Sequence, residues 1–182
     1  MNELINRLSK SFELSDVVYQ RDNLVFVTAK KENTISLVTH LRDYEDFVHF
    51  VLLSCADWIE DGVFQLTYIL NNPAEKYDIA VRCMIDRENA TMTSVHHLWK
   101  QVATYQRELK EMFGIDFPGS PRVDEPFILE GWDDIPPMRR DFDTIKYAAE
   151  TYEQMPRPET HDPAEHMKEK LHPDEWEEYS GD

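Results

Sequence analysis

The stretches GVFQLTYILNN (residues 62–72) and YDIAVRCMID (residues 77–86) carry the clearest pattern in this chain. Val63, Gln65, Thr67 and Ile69 alternate with Phe64, Leu66, Tyr68 and Leu70, and Ile79, Val81, Cys83 and Ile85 mark one face of the second run. A period of two is that of a β-strand, whose successive side chains point to opposite faces. Asn71-Asn72-Pro73 supplies a turn between the runs, and so short a connection implies antiparallel pairing.

Helical and extended signals flank this pair. NELINRLSKSF spaces Leu4, Ile5, Leu8 and Phe12 as one helical face, with Asn2 as N-cap. DVVYQRDNLVFVTAK reads as two short strands around Arg21-Asp22-Asn23. In NTISLVTHLRDY, Ile35, Val38 and Leu41 share a helical face, and FVHFVLLSCADWI is expected to run through a turn into a strand near Leu52–Ile59. SVHHLWKQVATYQRELKEMF predicts one helix capped by Ser94, with Val95, Leu98, Val102, Tyr105, Leu109 and Met112 at three- and four-residue steps. The expected fold is therefore α+β, a mostly antiparallel sheet packed with helices.

The pattern breaks at Phe113-Gly114. Nine of the ten prolines lie beyond it, and proline removes a backbone donor and fixes φ. Phe117, Phe127, Ile128, Leu129, Trp132, Ile135 and Met138 are nonetheless strung along this path. Apolar groups on an extended strap need something to cover, either the protein's own sheet or another chain, and the segment from about Gly119 to Phe142 is expected to be ordered only by contact with another chain. From Asp141 to Asp182 there are 13 acids and 4 Lys/Arg, an acidic tail. Within it Asp162, Pro163 and Glu165 signal a short helix ending before Pro173.

The net charge of −17 repels nucleic acid and anionic headgroups. No run of about 18 apolar residues or secretory leader is legible, which leads to a cytoplasmic expectation. Cys55 and Cys83 lie in apolar runs and read as buried free thiols; two thiolates cannot by themselves hold an iron–sulfur cluster. His96-His97 face different directions on a helix, and His161, His166 and His172 share no helical face, so neither set reads as a metal site. Phosphate-loop, dinucleotide, nucleophile-elbow and metalloprotease motifs are missing from the sequence. Arg107 and Arg140 stand out as cations among apolar residues in an acidic chain, suited either to lock the strap or partner through carboxylates or to form plain surface ion pairs.

RELKEMFGIDFPGSP (residues 107–121) followed by LEGWDDIPPMRRDF (residues 129–142) resembles the C-type subunits of NADH:quinone oxidoreductase (complex I), a family that includes the corresponding subunit of membrane-bound energy-converting hydrogenases. The shared parts are Gln106-Arg107-Glu108, Glu111-Met112-Phe113-Gly114-Ile115, Gly119-Ser120-Pro121 and Pro137-Met138-Arg139-Arg140-Asp141-Phe142, and the resemblance covers roughly residues 1–145. Gln106 stands where the family has a first Glu. Arg122-Val123-Asp124-Glu125 replaces the basic pair usual in the respiratory branch, which tilts the resemblance toward a hydrogenase-type or ferredoxin-linked relative.

The chain is expected to divide into a core domain over 1–116, an extended Pro-rich strap over 117–145, which the resemblance makes partner-binding, and an acidic tail over 146–182, which the resemblance does not cover. It implies a non-catalytic peripheral-arm subunit, docked on a hydrogenase-like large subunit beside iron–sulfur subunits, at the cytoplasmic face of the membrane. It implies no cofactor on this chain; iron–sulfur clusters, with nickel–iron or flavin as further candidates, belong to partner subunits. The interface residues it points to are Arg107, Glu108, Phe113, Gly114, Pro121, Trp132, Pro137, Arg139, Arg140 and Phe142. The alternative is a stand-alone small enzyme or an adaptor unrelated to redox complexes.

Overall fold

Residues 62–86 do form the centre of the molecule. In the computed structural model, which describes residues 2–152, strands β4 (Val63–Asn72) and β5 (Tyr77–Asp86) pair antiparallel from Val63↔Asp86 to Asn72↔Tyr77. Before them come α1 (Asn2–Ser11), β1 (Leu14–Arg21), β2 (Leu24–Ala29), α2 (Lys31–Tyr44) and β3 (His49–Trp58). The five strands make one sheet in the order β1-β2-β5-β4-β3. Three of its four pairings are antiparallel, while β2 runs parallel to β5, from Leu24↔Asp78 to Thr28↔Arg82. The fold is α+β, as the alternating runs imply.

One face of the sheet makes the core. Phe64, Leu66, Tyr68 and Leu70 of β4 and Ile79, Val81, Cys83 and Ile85 of β5 are all buried there. Each such large side chain contributes roughly 1.5–3 kcal/mol on leaving water. Leu4, Ile5 and Leu8 of α1 and Leu37, Val38 and Leu41 of α2 join the same cluster. Cys55 and Cys83 are free thiols on this face. Burial pushes the Cys55 thiol up to about 12 and the Cys83 thiol to about 11, so both stay protonated and unreactive at neutral pH.

Two sequence expectations need correction. Strand β3 begins at His49, three residues before the expected start, because an irregularity between Phe50 and Leu52 keeps the buried Phe50 paired with Leu70. The helix expected from Ser94 is confined to α3 (Val102–Phe113). The Ser94 hydroxyl donates to Gln106 Oε1 (2.7 Å) and accepts the His96 N–H (3.1 Å). Trp99 Nε1 and Gln101 Nε2 donate to the Val48 and Phe50 carbonyls at 2.7 Å each. Those bonds satisfy edge carbonyls around β3, and they hold residues 94–101 in turns where a helix would point the same groups elsewhere.

Gly114 stops α3 in the left-handed region (φ 77°), and the Ile115 N–H turns back to the Leu109 carbonyl at 3.4 Å. The path from there to Asp143 contains turns and the single bridge Thr91↔Asp116 but no helix or strand. A first compact unit ends at Asp143, and a second begins at Thr144 with helix α4 (Thr144–Thr151), whose Tyr147 meets Tyr152, just past the helix end, edge-on. The Asp162–Pro173 helix expectation, the three tail histidines and the rest of the acidic tail fall outside the described residues. Among those described, no helix is long and apolar enough to cross a membrane.

An L side chain at position 114 is strained by φ and would meet Pro136 Cγ at 3.4 Å. Gly114→Ala is expected to lower unfolding free energy by about 1–2 kcal/mol, read as a shifted urea midpoint at unchanged slope.

Candidate functional site: the strap and its charged anchors

Beyond Gly119 the strap has no ladder to satisfy its backbone, so side chains of the core do it. On α3, Arg107 and Glu111 are four residues apart and share a face. The Glu111 carboxylate accepts the Phe127 N–H at 2.7 Å and the Ile128 N–H at 2.8 Å. Arg107 Nη2 donates to the Pro126 carbonyl at 2.6 Å, and its guanidinium lies 5.8 Å from the Phe127 ring centroid. Further along, the Met138 N–H reaches the Met112 carbonyl at 3.0 Å.

The far end is held by a charge network. Asp57 follows Leu53 and Cys55 on the core face of β3, and its side chain is only 2% exposed. Arg87, just past β5, donates to both Asp57 oxygens (2.8 and 3.1 Å) and to Asp141 of the strap (2.8 Å). The Arg140 backbone N–H donates to the same Asp57 (2.9 Å) while its side chain pairs with Glu60, where both partners are largely exposed. Arg139 spreads over the Phe64 ring at 5.5 Å, and its Nε is buried without a hydrogen-bond partner.

These contacts set the electrostatics. Burial alone would raise the Asp57 carboxyl, but the hydrogen bonds from Arg87 and from the Arg140 backbone hold it below the usual carboxylate value. Burial likewise works to raise the Glu111 carboxyl, but the Phe127, Ile128 and Leu129 N–H groups outweigh it and hold the group below the usual carboxylate value. Asp141 is lowered by Arg87 against its own burial. Arg87 is raised by its hydrogen bond to Asp57.

The ten residues picked from the sequence are spread along this arrangement. Arg107 grips strap carbonyls, Phe113 packs edge-on against Phe64 (5.8 Å between centroids), and Gly114 turns the chain. Glu108 and Pro137 are half-buried, and Pro121 is exposed. Trp132 and Phe142 meet edge-on at 5.5 Å, and the Trp132 indole donates to the Asp134 carbonyl at 3.0 Å. Arg139 and Arg140 sit on the core as described. The sequence reading missed Asp57, Glu60, Arg87 and Glu111. Two signals were available: Glu111 is one turn from Arg107, and Asp57 continues an inward-facing alternation where a lone carboxylate requires a cation. Gln106, the departure from the family pattern, is fully buried and bonded to Ser94.

Between α3 and the strap lies a cleft of about 310 Å³, lined among others by Arg107, Lys110, Glu111, Trp132 and Pro136. Outward from the anchors project Ile128, Ile135 and Met138, exposed to 69%, 41% and 56%. A polar-pinned segment that turns apolar side chains to solvent can act as a docking ridge.

A family model described as "Respiratory-chain NADH dehydrogenase, 30 Kd subunit" matches residues 27–148. The chain is 29% identical over 119 residues to the C-type NADH-quinone oxidoreductase subunit of Citrifermentans bemidjiense, covering 65% of this chain and 73% of that one. It is 34% identical over 107 residues to a C/D-type NADH-quinone oxidoreductase subunit of Aquifex aeolicus, 58% of this chain but only 18% of that longer relative. Among solved structures, a chain of the membrane-bound sulfane sulfur reductase, an archaeal respiratory membrane complex, shares the fold with TM-score 0.77 and 23% identity, covering 89% of this chain and 96% of that one.

Depressed carboxyl values mean that Asp57, Asp141 and Glu111 contribute stability that is fully present above the ordinary carboxylate range and lost as pH falls through the lowered values. Hydrogen exchange of strap amides 126–142, corrected for intrinsic rates, should therefore lose protection below about pH 4 before β4 and β5 do. Asp57→Asn leaves Arg87 without its buried counter-charge and should cost about 3 kcal/mol in denaturant unfolding. Glu60→Gln should leave the midpoint in place.

Proposed function

We propose, from the premise that this chain belongs to the respiratory-chain NADH dehydrogenase 30 kDa subunit family and so is a subunit of a complex I-like assembly, that it is a non-catalytic peripheral-arm subunit whose strap docks on the hydrogenase-like large subunit. The observation that carries this reading is the strap itself. Glu111, Arg107 and Asp57 hold its backbone, Arg87 holds its Asp141 carboxylate, and Ile128, Ile135 and Met138 remain turned to solvent. A pre-ordered ridge binds with less ordering cost than a free tail.

The name of the Aquifex relative joins a C and a D type in one longer chain, which supports a lasting neighbour for the C-like part. The chain would stabilise that neighbour, while the assembly couples electron transfer to ion translocation. Iron–sulfur clusters, with flavin or nickel–iron, would be held by partner subunits, and this chain would carry none. Its place would be the cytoplasmic face of the membrane, reached only through the complex.

The test is retention of the large subunit on a tagged copy of this chain, after detergent extraction from its own cells. Ile128→Asp and Met138→Asp change exposed side chains and should leave the free chain's melting temperature unchanged. Retention should fall by about tenfold or more, equivalent to about 1.4 kcal/mol. Wild-type retention by the double variant, or purification of the wild-type chain alone, would reject the docking reading.

A further inference from the structure

Helices α1, α2 and α3 put their buried side chains into the core on one face of the sheet. The strap is anchored on that side too, since Asp57 is paired with the core residue Phe64. On the opposite, open face, cross-strand register lines up Leu52, Ile69, Ala80, Phe26 and Val18, one from each of the five strands. An antiparallel sheet with one face in water normally presents polar side chains there. Here one cross-strand row is apolar, its central Ala80 fully covered by its neighbours, and the row beside it runs Ser54, Thr67, Arg82, Thr28 and Asp16.

Beside the row stands Arg82 of β5, its guanidinium 4.0 Å from the Phe26 ring centroid. Its Nε is buried with no hydrogen-bond partner, and no carboxylate among the described residues pairs with it. Among the described residues Arg21 and Lys76 also stand outside any carboxylate pair, but both are exposed, whereas Arg82 is half-buried. The stacking on Phe26 holds the cation in place, and a half-buried guanidinium fits a carboxylate through two parallel hydrogen bonds. Arginine and aromatic groups within an apolar patch are the composition of interface centres.

We infer that the open face of the sheet, centred on Arg82 stacked over Phe26, is a second docking surface, occupied by another subunit that presents a carboxylate among apolar side chains. The inference rests on the reading of this chain as a complex subunit. A second copy of the chain is disfavoured, because two bodies of net charge −17 repel one another. Since the strap lies on the core side, the two surfaces point apart, and the chain is wedged between two neighbours.

Oxidative side-chain footprinting of the free chain and of the intact complex separates the possibilities. Met84 and Trp58 flank the open face and are 41% and 45% exposed, and Met138 reports on the strap. The expected result is strong protection of all three in the complex. In addition, Arg82→Glu should weaken retention of one subunit about tenfold or more, while Arg82→Lys loses less and the free variants melt near the wild type. Protection of Met138 with Met84 and Trp58 still reactive would overturn this inference and leave strap docking intact. Reactivity of all three would overturn both. Concentration-dependent protection of Met84 and Trp58 in the free chain would assign the face to a second copy and overturn the inference of a different subunit. Protection together with full retention by Arg82→Glu would remove the carboxylate from the proposal and so overturn it.

Discussion

The Asp57 carboxylate holds three parts of the chain at one point. It belongs to β3, accepts both guanidinium bonds of Arg87 beyond β5, and accepts the backbone N–H of Arg140 in the strap. A carboxylate this buried survives only if it is paired and fully hydrogen-bonded. Pairing it with Arg87 fixes the end of the sheet, and its remaining lone pairs fix where the strap comes to rest. Asp141, accepting from the same Arg87 Nη2 that serves Asp57, completes the junction.

The same logic runs along the rest of the strap. A proline-rich path cannot donate into a ladder, so the donors it keeps go to carboxylates (Phe127 and Ile128 to Glu111, Ile135 to Asp134, Arg140 to Asp57) and to single carbonyls, as Met138 to Met112. Polar anchors of this kind hold the backbone while leaving some of the strap's side chains exposed. That explains how Ile128 and Met138 remain in solvent on a segment whose backbone is held. The anchors of this segment lie on its own domain.

Cations are scarce in this chain, and their placement is informative. Arg87, Arg107 and Arg139 are spent on the strap. Arg82 lies on the other side of the sheet, stacked on an aromatic ring. The two sets of cations thus lie on opposite faces of the sheet.

Some of this could be read without coordinates. Alternation in residues 62–86 determined β4, β5 and their buried face, because burial on one side of a strand imposes a period of two. Three- and four-residue spacing determined α1 and α2, and Gly114 marked the end of α3, since a left-handed turn favours glycine. The motif around Arg107 and Arg139-Arg140 marked the family. Other features are set by contacts distant in sequence. The parallel β2–β5 pairing joins strands about fifty residues apart and leaves no local signature. Residues 94–101 have a helical period, but the edge carbonyls of β3 take their side-chain donors, so tertiary hydrogen bonding overrides local preference. Arg87 carries no sign of its role, because its meaning comes from Asp57, thirty residues earlier, and from Asp141, fifty-four later. Sequence periodicity records which face of an element is buried; which charges meet across that burial is decided only when the elements pack.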